Sequence, residues 1–327
     1  MVKRLLSFFL LSVVALVAAA CSGGDTDTES TTNKEKDALS IYTTVYPLQY
    51  FAERIGGDHV DVSSIYPPGA NEHTFEPTQK DMMVLADADL FFYIGLGLEG
   101  FVEKAKTTLA NEQVKLVATA DNVSEEMLHI STGHVHAEGD GHDHEGEESH
   151  EEAHEHDSHA WLSPVISKDL AAAIKDELVA AMPEHEEVFM ENYDVLVTEL
   201  DDLHADFKAM AEGASKKTFF VSHAAFGYIA GHYGLHQVPV AGLNSQSEPS
   251  QKELMKIVDL AKEDEIKYIF FEQNVSSNLT EVIQKEVGAE TMTLHDLSVL
   301  TPADVANGET YFTLMEKNIE ALKTALQ

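Results

Sequence analysis

The sequence predicts an α/β protein of two α/β lobes, each a parallel-type sheet flanked by helices, with a single long helix between them. Three observations carry this. Short β-branched and aromatic runs alternate with helical patterns from Ser40 to Ala118, the pattern of βαβ units and a parallel sheet. A second alternation of the same kind runs from Thr218 to Leu294. Between them, Glu184 to about Glu212 reads as one helix of roughly 40 Å at ~1.5 Å per residue. The chain has 327 residues, enough for two domains with proper cores.

In the first set, Ser40 to Tyr46 predicts a strand, and Leu48 to Ile55 a helix that Gly56 and Gly57 close. Val60 to Ile65 is a second strand, ending at Pro67-Pro68-Gly69. Lys80 to Ala88 is a helix, Leu90 to Ile94 a buried strand, Glu99 to Ala110 a helix and Val114 to Ala118 a short strand. Ser167-Lys168-Asp169 opens a further helix through Ala181, and Pro183 breaks it or starts the next one. Gly213 closes the long helix. The second set runs strand Thr218–Ser222, helix Ala224–Tyr233, strand Val238–Val240 and helix Gln251–Glu263. Strand Ile266–Phe271, helix Leu279–Val287, strand Thr291–Leu294 and a terminal helix Glu309–Leu326 complete it. The expected division is an N-terminal lobe over 39–183, a connecting helix over 184–212 and a C-terminal lobe over 213–327.

Two segments stand outside this pattern. At the N-terminus, Lys3 and Arg4 precede an apolar run, Leu5 to Val17, that is too short to span a bilayer comfortably. Ala18-Ala19-Ala20-Cys21 follows, and Cys21 is the only cysteine. This resembles a bacterial lipoprotein signal, with residues 1–20 removed and Cys21 lipidated, although Ala18 stands where Leu is usual. Ser22 to Asp37 has no large apolar residue and reads as a flexible tether up to about residue 38. These features predict an extracytoplasmic protein on the outer face of the cell membrane, with no outer-membrane sorting clue and hence a Gram-positive surface. With Cys21 lipidated, the mature chain has no disulfide and relies on its core and any bound metal. The second segment, His134 to Asp157, holds seven His and ten Asp or Glu and only Val135 as a large apolar residue. It cannot bury a core and reads as a disordered loop.

The charge excludes one class of partner. There are 57 acidic against 21 basic residues, a formal net charge of -36. Nucleic acid needs clustered Lys and Arg, so it is not the partner. Diffuse acidity serves solubility, since it is screened within ~10 Å at ~0.1 M salt.

Open α/β sheets bind ligands beyond the carboxyl ends of their strands, so residues just after strands are the ones that matter. His73 lies in the Pro- and Gly-rich loop after the second strand, His159 beside the only tryptophan, Trp161, and His223 directly after Thr218–Ser222. No pair of them has zinc-finger or zincin spacing, and each taken alone reads equally well as a surface, packing or capping histidine.

The span from about Ser40 to Gln327 resembles the metal-binding solute receptors of ABC transporters, the cluster A-I family, and its zinc receptors in particular. The matching stretches are Tyr46-Pro47-Leu48, Pro67 through His73 to Pro77, Gly95-Leu96-Gly97-Leu98-Glu99, His159 to Pro164, Ser222 to Tyr228, and Ser247-Glu248-Pro249-Ser250. The resemblance implies two lobes joined by one long helix, with the metal between them and His73, His159 and His223 as ligands. Three imidazoles suit Zn²⁺, whereas manganese prefers harder oxygen ligands. For the fourth ligand the resemblance points to a carboxylate at the position of Ser298, a poor zinc ligand. Water, Asp296, Glu72 or Glu272 is the expected replacement, with water preferred and Glu272 also suited to orient a histidine. The resemblance further implies a monomeric receptor that delivers Zn²⁺ to an ABC permease and its ATPase, and a histidine-rich segment that collects zinc weakly. The alternatives are a manganese or iron receptor, a zinc hydrolase, and a metal buffer or adhesin. No recognisable catalytic motif supports an enzyme.

Overall fold

The structure, a computed structural model, describes residues 38–132, 156–245, 249–273 and 278–327. The signal, Cys21 and the tether to residue 37 lie outside these residues, as does 134–155 of the acidic, histidine-rich segment.

Strands of a parallel sheet are covered on both faces and so carry near-continuous apolar runs. Leu90 to Tyr93, buried at all its positions, shows this directly. It is β3 of a parallel sheet with β1 (Leu39–Thr43), β2 (Val60–Ser64) and β4 (Lys115–Ala118), in the order β2-β1-β3-β4. The second half repeats the plan. There β5 (Thr218–His223), β6 (His236–Ala241), β7 (Tyr268–Phe271) and β8 (Glu290–Thr293) pair in parallel in the order β6-β5-β7-β8. In both sheets the first strand sits beside the third, with the second on its other edge. That reversal opens a crevice beyond the carboxyl ends of the two central strands.

The helices begin and end where their capping chemistry directs. α1 (Tyr46–Gly56) has Pro47 in its first turn and stops at Gly57, whose φ of 54° is open to glycine at little cost. α2 (Gln79–Ala86) starts from a reciprocal pair of bonds between Thr78 and Asp81. α3 (Val102–Thr108) and the short α4 (Glu125–Leu128) complete the first set. α5 (Pro164–Ala181) begins three residues ahead of the sequence expectation, because the Ser163 hydroxyl accepts from the Ile166 N–H and Pro164 fits the first turn. The long helix, α6 (Glu186–Gly213), follows a single tight turn over Pro183–His185. In the second set α7 (Gly227–Tyr233) starts later than expected, since Ala224 to Phe226 leave β5 in an irregular turn. α8 (Gln251–Glu263), α9 (Asn278–Val287), α10 (Pro302–Asn307) and α11 (Tyr311–Ala325) follow.

α6 holds the molecule together through one stripe. Phe189, Leu196, Leu200, Leu203, Phe207 and Met210 recur at helical spacing and are buried. They pack on α5, α1 and α11. α11 reaches back to α1, where Tyr311 stacks on Tyr50 and meets Phe51 edge-on. One hydrophobic cluster therefore runs through both sheets and α6, and a smaller one around Phe220, Ile269 and Ile283 fills the space between the second sheet and α8 and α9. Among the described residues no helix is long and apolar enough to cross a membrane.

At the mouth of the first sheet, Gly95, Leu96 and Gly97 all take positive φ (88°, 55° and 81°). The bend folds the buried Glu99 carboxylate back onto the strand ends. It accepts from Thr44 Oγ1 at 2.8 Å, Ile94 N at 2.8 Å and Gly95 N at 3.0 Å. Burial pushes Glu99 up to about 7 despite these donors.

Candidate metal centre

Each candidate histidine arrives on a different kind of backbone. His223 is the last residue of β5, at the crevice of the second sheet, and is fully buried. His159 precedes a short turn over Ala160–Leu162 that leads into α5, and its ring lies 5.3 Å from that of Trp161. Trp161 is itself pinned, its indole N–H donating to the Asp296 carbonyl at 2.7 Å. His73 rides in the loop between β2 and α2, where its backbone N–H donates to the Asn71 side chain at 3.1 Å.

These three converge. The ring centroids are 5.2 Å apart for His73 and His159, 5.2 Å for His159 and His223, and 5.9 Å for His73 and His223. One carboxylate joins them, Glu72, and the four groups place ligand atoms within 4.8 Å of one another. Four ligands ~2.0–2.1 Å from a tetrahedral zinc stand about 3.3 Å apart. The Nε2 atoms of His159 and His223 are 3.3 Å apart, and His73 Nε2 is 3.5 Å from Glu72 Oε1. Neither of the latter two atoms, both buried, has a hydrogen-bond partner among the described residues. Orphaned buried polar atoms are costly, and a shared cation satisfies both.

Carboxylates fix the ring orientations. Asp157 Oδ1 accepts from His159 Nδ1 at 2.8 Å and from its backbone N–H at 2.9 Å. Glu272 Oε1, just beyond β7, lies 3.3 Å from His223 Nδ1, at ion-pair distance rather than in hydrogen-bond alignment. A proton kept on Nδ1 leaves the Nε2 lone pair for a metal. The site divides its charge unevenly. Burial pulls His223 down, but Glu272, Glu72 and Asp296 together outweigh it and hold it at about 9. Burial, then the neighbouring His159 and His223, pulls His73 down to about 3. Burial and the Asp296 carboxylate push Glu72 up.

The other residues considered for the fourth position fall into different places. Glu272 backs His223 from behind. Asp296 Oδ1 accepts from Ser298 N, Ser298 Oγ and Gln273 Nε2, each at 2.9 Å, so Ser298 serves the loop and holds Asp296. Asp157, assigned from sequence to the polar loop, is buried and directed at His159. The signal for it was local: an acidic residue two positions before a candidate ligand can close a short turn onto that ring.

The comparisons with known proteins follow the same line. The family described as "Zinc-uptake complex component A periplasmic" (ZnuA) matches residues 41–325. The chain belongs to this family. It is 39% identical over 323 residues to the zinc-binding lipoprotein AdcA of Streptococcus pneumoniae (strain ATCC BAA-255 / R6), covering 97% of this chain and 60% of AdcA. The chain thus spans about 60% of the length of that curated relative. It is 34% identical over 334 residues to the high-affinity zinc uptake system protein ZnuA of Bacillus subtilis (strain 168), covering 100% of this chain and 99% of that protein. The Zn(II)-bound ZnuA-like domain of Streptococcus pneumoniae AdcA superposes with a TM-score of 0.70 at 33% identity, over 88% of this chain and 99% of that domain. This family has the two parallel sheets and linking helix seen here.

Proposed function

We propose that the chain is an extracytoplasmic Zn²⁺ receptor of an ABC-type importer, with His73, His159, His223 and Glu72 as the ligands. The observation that carries this is the convergence of three imidazoles and one carboxylate, from both lobes, in a site where their side chains are at most 7% exposed. Three imidazoles favour zinc over manganese. A carboxylate as fourth ligand completes a closed tetrahedral shell, which suits a cargo site better than a hydrolase needing an open position. The zinc-binding names of its relatives support the same cargo. Lipidation of Cys21 would hold the receptor at the membrane beside its permease, whose ATPase drives transfer, and the histidine-rich segment would collect zinc weakly nearby.

Metal analysis of the purified protein with a zinc–manganese competition titration tests this. Zinc at one equivalent, bound tighter than manganese, is the expected result, and tighter manganese sinks the reading. Glu72→Gln against Asp296→Asn then identifies the fourth ligand. Loss in the first alone supports Glu72, and loss in the second alone transfers the role to Asp296.

A further inference from the structure

Asp157 is gripped at both carboxylate oxygens. Oδ1 takes the two donors of His159. Oδ2 accepts from the Ser131 hydroxyl at 2.6 Å, and the Asp157 carbonyl accepts from Tyr228 Oη at 2.7 Å. A carboxylate held through one oxygen can still swing about its Cβ–Cγ bond, and the second grip stops that rotation. Glu272, behind His223, is different: its Oε2 is buried without a hydrogen-bond partner among the described residues.

Ser131 is placed by the bare backbone of α7. Thr132 N–H donates to the Gly227 carbonyl at 3.1 Å. A Cβ on Gly227 would stand 2.1 Å from Ser131 Oγ and 2.7 Å from Asp157 Oδ2. A Cβ on Gly231, one turn on, would stand 1.9 Å from the Ile130 carbonyl oxygen. All three distances are shorter than any real Cβ contact, and the Ile130 carbonyl is backbone, so the Ile130–Thr132 segment can lie here only because α7 presents glycines to it.

We propose that Ser131, seated over Gly227, is a positioning residue for the zinc ligand His159, acting through Asp157. This rests on the reading of His159 as a zinc ligand. Helix α7 of the second lobe thereby sets the bearing of a ring that precedes α5. The hydrogen bond also joins Ser131, ahead of the histidine-rich segment, to Asp157 at its end, 26 positions on.

The test uses the full chain and two readouts: zinc affinity by chelator competition, and the visible d–d spectrum of the Co²⁺-loaded protein, which reports ligand geometry. Ser131→Ala should weaken zinc about tenfold, the low end of the range for partners behind a ligand, and should shift the cobalt spectrum. Ser131→Thr, which keeps the hydroxyl, should restore both. Gly227→Ala should reproduce the loss although it removes no polar group. Should Gly227→Ala fail to fold, Ser131→Ala at an unchanged melting temperature still decides. Wild-type affinity in Ser131→Ala, or weaker binding with an unchanged cobalt spectrum, overturns the proposal. Failure of the underlying reading looks different: His159→Ala would then bind zinc as the wild type does.

Discussion

The two lobes share one strand order, yet they present their histidines in opposite ways. His223 ends the central strand β5, is fully buried, and has Glu272 behind its ring. His73 sits in the loop that leaves β2, an edge strand, with the neighbouring Glu72 carboxylate 3.5 Å from its Nε2. A strand end is fixed by ladder hydrogen bonds and by packing on both faces. A loop is fixed by fewer contacts and opens at lower cost. His223 is thus held more firmly than His73, while His159, also in the first lobe, is buried and held by Asp157.

The largest test of that asymmetry is removal of each ring. His223→Ala should lower zinc affinity by more than about 100-fold, above what losing a partner behind a ligand costs. His73→Ala should cost less. Calorimetric titration reads both, and the reverse order breaks the comparison. Next in size is Glu272→Gln, which strips the charge behind His223 and should weaken zinc about 10- to 100-fold. The same substitution should leave exchange of His73 between free and bound forms unchanged by NMR.

The smallest effect is on proton linkage. His223 stands at about 9 without metal, so at neutral pH zinc must displace its proton. Affinity should therefore rise from neutral pH towards about 9 and fall on acidification. His73, at about 3, is already neutral and contributes nothing to this slope. Titrations in buffers of different ionisation enthalpy should show close to one proton released per zinc in the wild type and fewer in Glu272→Gln, where His223 loses the largest of its raising charges. A flat profile from pH 7 to 9 would place the proton elsewhere.

Much of the fold was legible because its signals are local. The alternation of Ile41, Phe91, Phe220 and Ile269 runs with amphipathic helices spells out two parallel sheets, and the stripe from Phe189 to Met210 spells out the long helix. Thr301-x-x-Asp304 carries a capping box that marks α10, a helix absent from the sequence reading because it spans only Pro302–Asn307. The start of α7 was less legible, since Ala224 to Phe226 favour helix by composition while the tertiary path bends them into a turn. His73 and His223 stood out as candidates by their places at strand ends, and all three, His159 included, by family resemblance. Glu72 remained one of four alternatives, and Asp157 was read as part of a polar loop.

What the sequence alone determined is therefore the main elements and their order, with three histidines offered as candidate ligands by family resemblance. Periodicity, caps and turn residues act over a few positions and need no partner from elsewhere in the chain. Only the tertiary structure decided which carboxylate faces the imidazoles, which ones stand behind them, and that Ser131, packed against Gly227, bonds the Asp157 carboxylate. Glu72 beside His73 and Asp157 two positions before His159 are near in the chain, but the other relations join residues tens to more than a hundred positions apart. They exist only once α6 and the shared core bring the two sheets face to face, because burial is what turns a distant polar residue into an obligatory partner.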